Sequence, residues 1–405
     1  MSISTTGDTA SPSPWRIFLA FLTLGVTAFG GPVAHIGYFR IEFVERRKWI
    51  DGDQFQDLIA LCQFLPGPMS SQVGFAIGML RGRIPGGLAA WLGFTAPSAV
   101  LMIGLGVGTN LFESGLPVSL VHGLKLAAVA IVAWAMWQMA RTACTDVVRM
   151  GLTAAACLIM LFTNLVWVQV GVIAAAAIAG RLLIKPKAAV VSVSEGVPFS
   201  RTFAMVSAGI LVGALIALPI AAAFVDFAAL DVFSSFFRVG SLVFGGGHVV
   251  LPLLQAEVVP PGWVDGDTFL AGYGAAQALP GPMFSFAGYL GAVAAPGVTS
   301  PGGWLVGLIA LFAVFLPSFL ILTAALPYWQ SLRAKPALRT ALAGVNAVVV
   351  GLLLAVFIDP VWTSSVLATS DVAIVVVGVA LLAWRKLPVW LIVVLSAAAG
   401  TALAS

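Results

Sequence analysis

The chain has 405 residues, of which 60% are hydrophobic and only 9% are charged. Soluble domains carry about 25% charged residues, so this composition excludes an ordinary soluble protein and is typical of a chain embedded in membrane lipids. The formal net charge of +4 is too small and too scattered to indicate a nucleic-acid partner.

The chain opens on a polar stretch, MSISTTGDTASPSP, at residues 1–14. This stretch lacks a basic region and is not followed by a small-residue cleavage site, both of which a secretory signal would have. We expect residues 1–14 to be a short disordered cytoplasmic tail that is not cleaved.

Apolar runs recur along the rest of the chain and reach or approach the roughly 20 residues that cross a bilayer. They lie at 89–111, 124–140, 203–224, 304–326 and 341–357. Repeated spans exclude an enzyme with a single anchor. The sequence therefore predicts an all-α polytopic membrane protein, placed in the cell (inner or plasma) membrane.

An internal repeat organises these runs. The segment FLPGPMSSQVG at 64–74 returns as ALPGPMFSFAG at 278–288, an offset of 214 residues. Four further pairs of segments match at nearly the same offset: WIDGD with WVDGD (49–53, 263–267), FGG with FGG (29–31, 244–246), PGG with PGG (85–87, 301–303) and PS with PS (97–98, 317–318). We interpret residues 15–184 as a first transporter repeat and 228–405 as a second. Residues 185–227 between them form a linker plus an extra transmembrane helix.

Basic residues predict how the two repeats are oriented, because short loops rich in lysine and arginine stay in the cytoplasm. In the first repeat the loop ERRKW at 45–49 and the loop with Arg81 and Arg83 are basic. The matching loops at 257–267 and 293–303 contain no lysine or arginine. The second repeat is thus predicted to be upside down relative to the first, an inverted-topology repeat of the kind found in many secondary transporters.

The loops on both sides of the first PGP segment are predicted to be cytoplasmic, so the segment must enter the membrane and return. Proline suits the first turn of a helix but not its interior, so the motif ends one half-helix and begins the next. The new half-helix presents free N–H groups and the positive end of its dipole, which together favour an anion. We expect re-entrant half-helices with an anion site at Met69, Ser70 and Ser71, and with Met283 and Ser285 in the same role in the second repeat.

Glycine and glutamine residues near these breaks complete the candidate site. Backbone without side chains can approach an ion closely, and buried amides can donate to an oxyanion. The predicted substrate-binding residues of these two kinds are Gly30, Gly31, Gln63, Gly67, Gly245, Gly246, Gln277 and Gly281. The alternative is that glycine and proline in these helices only permit close packing.

Few ionisable side chains lie near the breaks. Lys125 begins an apolar run and is either a counter-charge for the anion or a lysine that extends to the lipid headgroups. Arg40 and Arg238 flank the glycine breaks, as cytoplasmic anchors or substrate contacts. His35 and His248 lie close to breaks but do not match each other in the repeat, which disfavours a symmetric proton relay.

These motifs also resemble a known family. The stretches FGGPVAHIGYFRIEFVERRKW, ALCQFLPGPMSSQVGFAIG and AAWLGFTAPSA, with FGGGHVVLPLL and QALPGPMFSFAGYLG in the second half, are similar to the chromate ion transporter family in its long, two-domain form. The resemblance covers essentially the whole chain. It implies membrane export of chromate, a tetrahedral oxyanion, and resistance to chromate. Sulfate has the same shape and stays open as the physiological substrate. The second repeat reads GGGH where the first reads GGP, so the two sites need not be equivalent.

The function expected from all this is secondary transport of an oxyanion, with an anion channel and a non-transporting membrane scaffold as alternatives. No catalytic motif is visible, and we expect no cofactor and no metal, since the three cysteines lack metal-binding spacing. Coupling to protons and assembly as a homodimer are left open. Asp57 is the one clear acidic candidate near the first break, and Ala271 takes its place in the second repeat.

Overall fold

The computed structural model describes residues 12–111, 117–163, 165–185, 200–244, 247–294, 302–333, 335–385 and 387–403. These residues form helices joined by turns, with no β-strand among them. The predicted all-α fold is confirmed. Most of the expected N-terminal tail lies outside the described residues. The first helix begins at Pro14, where the Ser13 hydroxyl accepts a hydrogen bond from the Arg16 N–H at 3.4 Å.

Helices of the first half are α1 (Pro14–Thr27), α2 (Gly31–Phe39, continued by a π-helical turn Arg40–Arg46), α3 (Gly52–Phe64), α4 (Met69–Leu111), α5 (Val118–Ala143), α6 (Val147–Leu161) and α7 (Val166–Leu183). A separate helix, α8 (Arg201–Phe224), follows. Helices of the second half are α9 (Ala228–Leu242), α10 (Val250–Val258), α11 (Gly266–Gln277), α12 (Phe286–Val293), α13 (Gly303–Ala325), α14 (Trp329–Arg333), α15 (Pro336–Val356), α16 (Thr369–Ala380) and α17 (Val389–Leu403).

Five of the described helical segments are long and apolar enough to cross a membrane. They are Met69–Thr109, Val118–Ala143, Arg201–Phe224, Gly303–Tyr328 and Pro336–Trp362. Each overlaps one of the apolar runs recognised in the sequence, and shorter apolar helices accompany them. The chain is a multi-pass membrane protein.

The first helix pair of each half folds back on itself. In the first half the rings of Phe21 and Phe43 stack with centroids 4.5 Å apart, although a continuous helix would separate these residues by roughly 33 Å at 1.5 Å per residue. In the second half, Arg238 of α9 makes two hydrogen bonds of 2.7 Å to the carboxylate of Glu257 in α10. Both pairs are therefore hairpins of two half-helices.

The helices on either side of each PGP motif also pack together. In the second half the Tyr289 hydroxyl of α12 donates to the Thr268 carbonyl of α11 at 3.2 Å. A side chain on Gly272 would collide with the ring of Tyr289, so α11 and α12 lie in close contact. This geometry agrees with the predicted re-entrant half-helices.

Helix α4 consists of two arms that meet at a kink. Gly82 and Arg83 have non-helical backbone angles there, and Arg83 has a positive φ of 53°. A side chain on Gly78 would collide with the Gly86 carbonyl, so the second arm returns along the first. The bend coincides with the loop whose arginines predict a cytoplasmic location.

The last helices of each half are exchanged between the halves. Helices α6 and α7 pack on α15 of the second half, while α16 and α17 pack on α5 of the first. Glycines make both contacts close: Gly180 lies against Gly344, and Gly400 lies against Gly123. Since Gly123 and Gly344 occupy matching places in the repeat, the two exchanges are the same contact made twice, as two-fold related units would make it.

Candidate functional site

The helix breaks of the two halves meet one another through backbone hydrogen bonds. The Gly67 N–H, in the first PGP turn, donates to the Val243 carbonyl at 2.7 Å. The Gly281 N–H, in the second PGP turn, donates to the Ala28 carbonyl at 3.0 Å. Ala28 and Val243 each precede the FGG segment of their own half. Each PGP turn is thus bonded to the glycine break of the opposite repeat.

Side chains at the breaks are also in contact. A Cβ atom placed on Gly247 would lie 3.4 Å from Cγ of Pro32 and 3.0 Å from Cε of Met283. His35, one turn after the first glycine break, has its Nδ1 at 3.3 Å from the Ser70 hydroxyl, which follows the first PGP turn. The breaks therefore converge on one region where the two repeats join.

Gly67 and Gly281 have a structural role that differs from the expected one. Their φ angles are +127° and +87°, which L side chains rarely adopt. A Cβ on Gly67 would collide with Ser318, and one on Gly281 would lie 3.0 Å from the Ser98 hydroxyl. The space beside these glycines is filled by the opposite repeat, and their N–H groups already have acceptors. The structure shows no open space beside these two glycines, and their assignment as substrate-binding residues stays a prediction.

Gly30 and Gly31 differ from the PGP glycines. Both have positive φ angles, +103° and +75°, but a Cβ on Gly31 would meet no atom within 4 Å. Open space beside a bare backbone is what close approach of a ligand requires. Gly245 and Gly246, their predicted counterparts, lie outside the described residues.

The helix that begins after the first PGP turn has free donors at its start. The Gln72 N–H donates to the Pro68 carbonyl at 2.9 Å. The preceding N–H groups of Met69, Ser70 and Ser71 have no acceptor within their own helix. They stand at the positive end of the helix dipole, where an anion is stabilised.

The second PGP turn begins its helix differently. Residues Met283–Ser285 form a 3-10 turn, in which the Ser285 N–H donates to the Pro282 carbonyl at 3.1 Å. Met283 and Ser285 are both buried. Of the predicted donors in this half, the Ser285 N–H is therefore already used.

Several buried polar side chains surround the first break. Ser71 and Thr95 are each 2% exposed, and neither hydroxyl has a hydrogen-bond partner among the described residues. Gln72 is fully buried, and its Nε2 donates to the Pro66 carbonyl at 2.8 Å and to the Ser318 carbonyl at 3.3 Å. Sequence reasoning missed Gln72 and Thr95. Position-by-position comparison of the repeats would have found them, because phenylalanine stands at both matching places.

The two predicted glutamines are placed unequally. Gln63 is exposed on α3, whereas Gln277 is half-buried and its Nε2 donates to Sδ of Met283 at 2.7 Å. Gln277 therefore braces the second PGP turn, while Gln63 points away from the protein interior.

Lys125 is not a free counter-charge. Its ammonium donates to the Asp267 carboxylate at 2.5 Å and to the Ser364 carbonyl at 2.7 Å, and its side chain is only 6% exposed. Asp267 lies in the first turn of α11, whereas Gln277 ends that helix next to the break. Ten residues of helix separate these ends by roughly 15 Å. The charge of Lys125 is thus paired at the far end of α11, and its assignment as a substrate-binding residue stays a prediction.

The arginines near the breaks are paired too. Arg40 contacts Glu45 at 3.4 Å on the surface, and Arg238 is held by Glu257 and lies over the ring of Trp167 at 5.4 Å. His248 forms a 2.8 Å hydrogen bond with the Tyr273 hydroxyl. In the part of the chain that the structure describes, no group of three His, Cys, Asp or Glu side chains is placed to hold a metal ion.

A cavity of about 250 Å³ lies elsewhere, between the two repeats. It is lined by residues of α6, α7, α10 and α15 and of the segments that follow α10 and α15, among them Gln169, Gln255 and Asp359. None of its lining residues belongs to a PGP turn or a glycine break. The candidate site at the breaks is, by contrast, tightly enclosed, since Ser70 and Ser71 are almost fully buried.

Comparisons with known proteins agree with this architecture. A family model described as "Chromate transporter" matches the chain over residues 15–181 and again over 230–401. A chromate transport protein of Pseudomonas aeruginosa is 29% identical over 373 residues, covering 85% of this chain and 80% of the relative. A chromate transport protein of Cupriavidus metallidurans is 28% identical over 392 residues, covering 91% and 85%.

An uncharacterized transporter of Methanocaldococcus jannaschii is 27% identical over 353 residues, covering 86% of this chain and 84% of the relative. No solved structure matches the chain significantly. Because the family model matches both halves of the chain, over residues 15–181 and 230–401, the chain belongs to the chromate transporter family.

Proposed function

We propose that this protein is a secondary transporter that exports chromate across the plasma membrane and so confers chromate resistance. The observation that carries the proposal is the start of the helix after the first PGP turn. There the N–H groups of Met69, Ser70 and Ser71 and the free hydroxyls of Ser71 and Thr95 lie buried where the repeats meet.

These donors suit a tetrahedral oxyanion. Backbone N–H groups and hydroxyls can each bond one oxygen, and burial strengthens such bonds because water does not compete. The cations considered for this role, Lys125, Arg40 and Arg238, are held by carboxylates. Transport requires binding that is favourable enough for entry and weak enough for release, and we expect binding by dipoles without a fixed cation to meet this requirement.

Chromate is proposed because the relatives from Pseudomonas aeruginosa and Cupriavidus metallidurans are named chromate transport proteins. Sulfate and other tetrahedral oxyanions offer the same oxygen geometry and are the alternative substrates. A negative membrane potential drives a dianion outward, which supports export. Exchange for protons and assembly as a homodimer would add to this proposal without altering the site.

A channel lined by the same dipoles is the second candidate. Enclosure of Ser70 and Ser71 on all sides favours a transporter, which closes around its substrate, over a pore. The backbone bonds from Gly67 to Val243 and from Gly281 to Ala28 join the two repeats at this site, where a transporter of two repeats would alternate its access.

The proposal is tested with purified protein in lipid vesicles. The membrane potential is held at zero by equal potassium concentrations on both sides and a potassium carrier. Vesicles loaded with unlabelled chromate should then accumulate labelled chromate from outside transiently above equilibrium, because a carrier exchanges one anion for another. Protein-free vesicles are the control, and sulfate replaces chromate inside in a parallel arm. Equilibration without transient accumulation would indicate a channel, and no chromate movement in any arm would refute the proposal.

A further inference from the structure

We infer that the two PGP breaks are not two anion sites: the anion is bound by the first repeat alone, and the second break is its apolar structural counterpart. This inference rests on the proposed function and assigns its site to one half of the molecule. The residues assigned are Ser71 and Thr95 as donors and Gln72 as the residue that positions the PGP turn.

The first support is a comparison of matching positions. At four positions around the first break, the first repeat has a polar residue where the second repeat has an apolar residue at the matching place in the sequence. The matching pairs are His35 and Val250, Ser70 and Phe284, Gln72 and Phe286, and Thr95 and Phe315. All eight side chains are buried. Buried polar groups are costly unless they have partners. His35, Ser70 and Gln72 have partners in the protein, whereas the hydroxyl of Thr95 has none among the described residues.

The apolar residues of the second repeat fill the space around its own break. Phe286 packs against Phe269 and Tyr273 with ring centroids at 5.2 and 5.8 Å. Phe284 and Phe315 contact each other with centroids at 5.8 Å. Aromatic packing of this kind stabilises the turn but offers no donor to an oxyanion.

The two helix starts also differ in the number of free backbone donors, and the first repeat has more of them. In the first repeat the earliest backbone bond comes from Gln72 and leaves Ser71 N–H without a helical acceptor. In the second repeat the equivalent N–H, that of Ser285, is already bonded to Pro282. The first helix start thus offers one more free backbone donor.

Unpaired hydroxyls point to a ligand at the first break. Ser71 and Thr95 lie in the interior, and neither oxygen bonds to any described residue. Thr95 lies on the arm of α4 between Phe94, whose ring packs on His35 at 5.1 Å, and Ser98, which faces Gly281. Leaving a buried donor unsatisfied costs about 1–3 kcal/mol, a cost that a bound oxyanion would remove.

Gln72 positions these donors. Both hydrogens of its Nε2 are used, one on Pro66 of its own PGP turn and one on Ser318 of the second repeat. Since both neighbours are carbonyl oxygens, the amide nitrogen must face them. Phe286 in the second repeat cannot make such a bridge. The second repeat has its own buried polar pair, His248 and Tyr273, but these two side chains bond to each other.

Matched substitutions at the repeat mates test the inference. Equilibrium binding of labelled chromate to the purified full-length protein should saturate at one anion per chain. Ser71→Ala should weaken binding about tenfold, the effect of losing one hydrogen bond to a charged group. Its mate Ser285→Ala should change binding less than twofold. Thermal unfolding without chromate, measured for both variants, reports any change in folding separately.

Positioning by Gln72 is tested by a double substitution. Gln72→Met keeps the length of the side chain but removes both donors. If Gln72 acts by holding the Ser71 turn, Gln72→Met should weaken binding strongly in the native protein and much less in the Ser71→Ala background. A purely structural role would give the same fold-change in both backgrounds.

The outcomes separate the two proposals. Wild-type protein that binds neither chromate nor sulfate would refute the proposed function and this inference together. Wild-type protein that binds chromate, with two anions per chain or with Ser285→Ala as damaging as Ser71→Ala, would overturn the inference and leave the proposed function standing.

Discussion

The N–H of Gly281 donates a hydrogen bond of 3.0 Å to the carbonyl of Ala28, so the second PGP turn is tied to the first glycine break. The same bond recurs between Gly67 and Val243 at 2.7 Å. Each bond joins residues more than 170 positions apart and connects one repeat to the other. Two-fold related units make reciprocal contacts of this kind. Both bonds lie at the candidate site.

Replacing Gly67 with alanine should destabilise the protein. The φ of +127° is strained for alanine, and its Cβ would collide with Ser318. Backbone strain and overpacking each cost about 1–3 kcal/mol. We expect Gly67→Ala to lower the thermal unfolding temperature and to abolish transport. Gly281→Ala should have a smaller effect on both, because a Cβ there would lie 3.0 Å from the Ser98 hydroxyl and 3.1 Å from the Phe94 carbonyl, whereas a Cβ on Gly67 would lie closer than this to Cβ of Ser318.

The matched control for these variants is Gly209 in α8, where a Cβ would meet no atom within 4 Å. Gly209→Ala should leave unfolding and transport unchanged. If Gly67→Ala unfolds at the native temperature, the close packing described between the PGP turn and Ser318 is not present in the folded protein.

Removing one partner of the buried pair Arg238–Glu257 should be strongly destabilising. The Glu257 side chain is 5% exposed and receives two hydrogen bonds from the guanidinium. Breaking a buried pair leaves a charge without compensation, at a cost of about 3–5 kcal/mol. Glu257→Gln should lower the unfolding temperature, and Arg238→Met combined with Glu257→Leu should restore much of the loss.

The surface pair Arg40–Glu45 provides the comparison, because both side chains are more than half exposed. Such pairs contribute about 0–1 kcal/mol, so Glu45→Gln should have little effect on unfolding. Equal effects of Glu257→Gln and Glu45→Gln would show that Arg238 and Glu257 are not buried together.

Lys125 and Asp267 should behave as an ion pair with unequal partners. Lys125 is buried while Asp267 is 61% exposed. Asp267→Asn leaves a buried ammonium without its carboxylate and should destabilise more than Lys125→Gln, with the double variant more stable than Asp267→Asn alone. Asp53→Asn, at the matching place in the first repeat, is the control.

The chromate affinity of Lys125→Gln should stay within twofold of the native value. A tenfold loss of affinity with unchanged unfolding would show that Lys125 belongs to the anion site.

Local chemistry in the sequence was sufficient to predict the breaks but not their partners. Pro66, Gly67 and Pro68 cannot continue a helix, so the half-helices follow from three adjacent residues. The acceptor of Gly67 and the carboxylate that pairs with Lys125 come from the other repeat, and no spacing along the chain reveals such contacts. Comparison of the repeats marks Gln72 as different from its mate Phe286, but its contact with Ser318 of the other repeat is visible only in the structure.

The inverted orientation of the repeats is predicted from loop charge and can be measured by labelling. Single cysteines at Lys48 and Arg81, introduced in a background without the native cysteines, should react only with reagents that reach the cytoplasm. A cysteine at Val259, in the loop that matches Lys48, should react from outside, because that loop contains no lysine or arginine. Labelling of both matched loops from the same side would rule out the inverted arrangement.

The last prediction concerns the driving force. A dianion leaving a negative-inside cell gains about 4.6 kcal/mol per 100 mV, at roughly 2.3 kcal/mol per charge. In vesicles, a potential imposed with a potassium gradient and a potassium carrier should therefore accelerate chromate movement toward the positive side, and reversing the gradient should slow it. Protein-free vesicles give the leak, and a second series with a pH gradient and no potential tests exchange for protons. Flux that follows the pH gradient and ignores the potential would mean that the anion's charge is neutralised in transit, and export driven by potential alone would have to be abandoned.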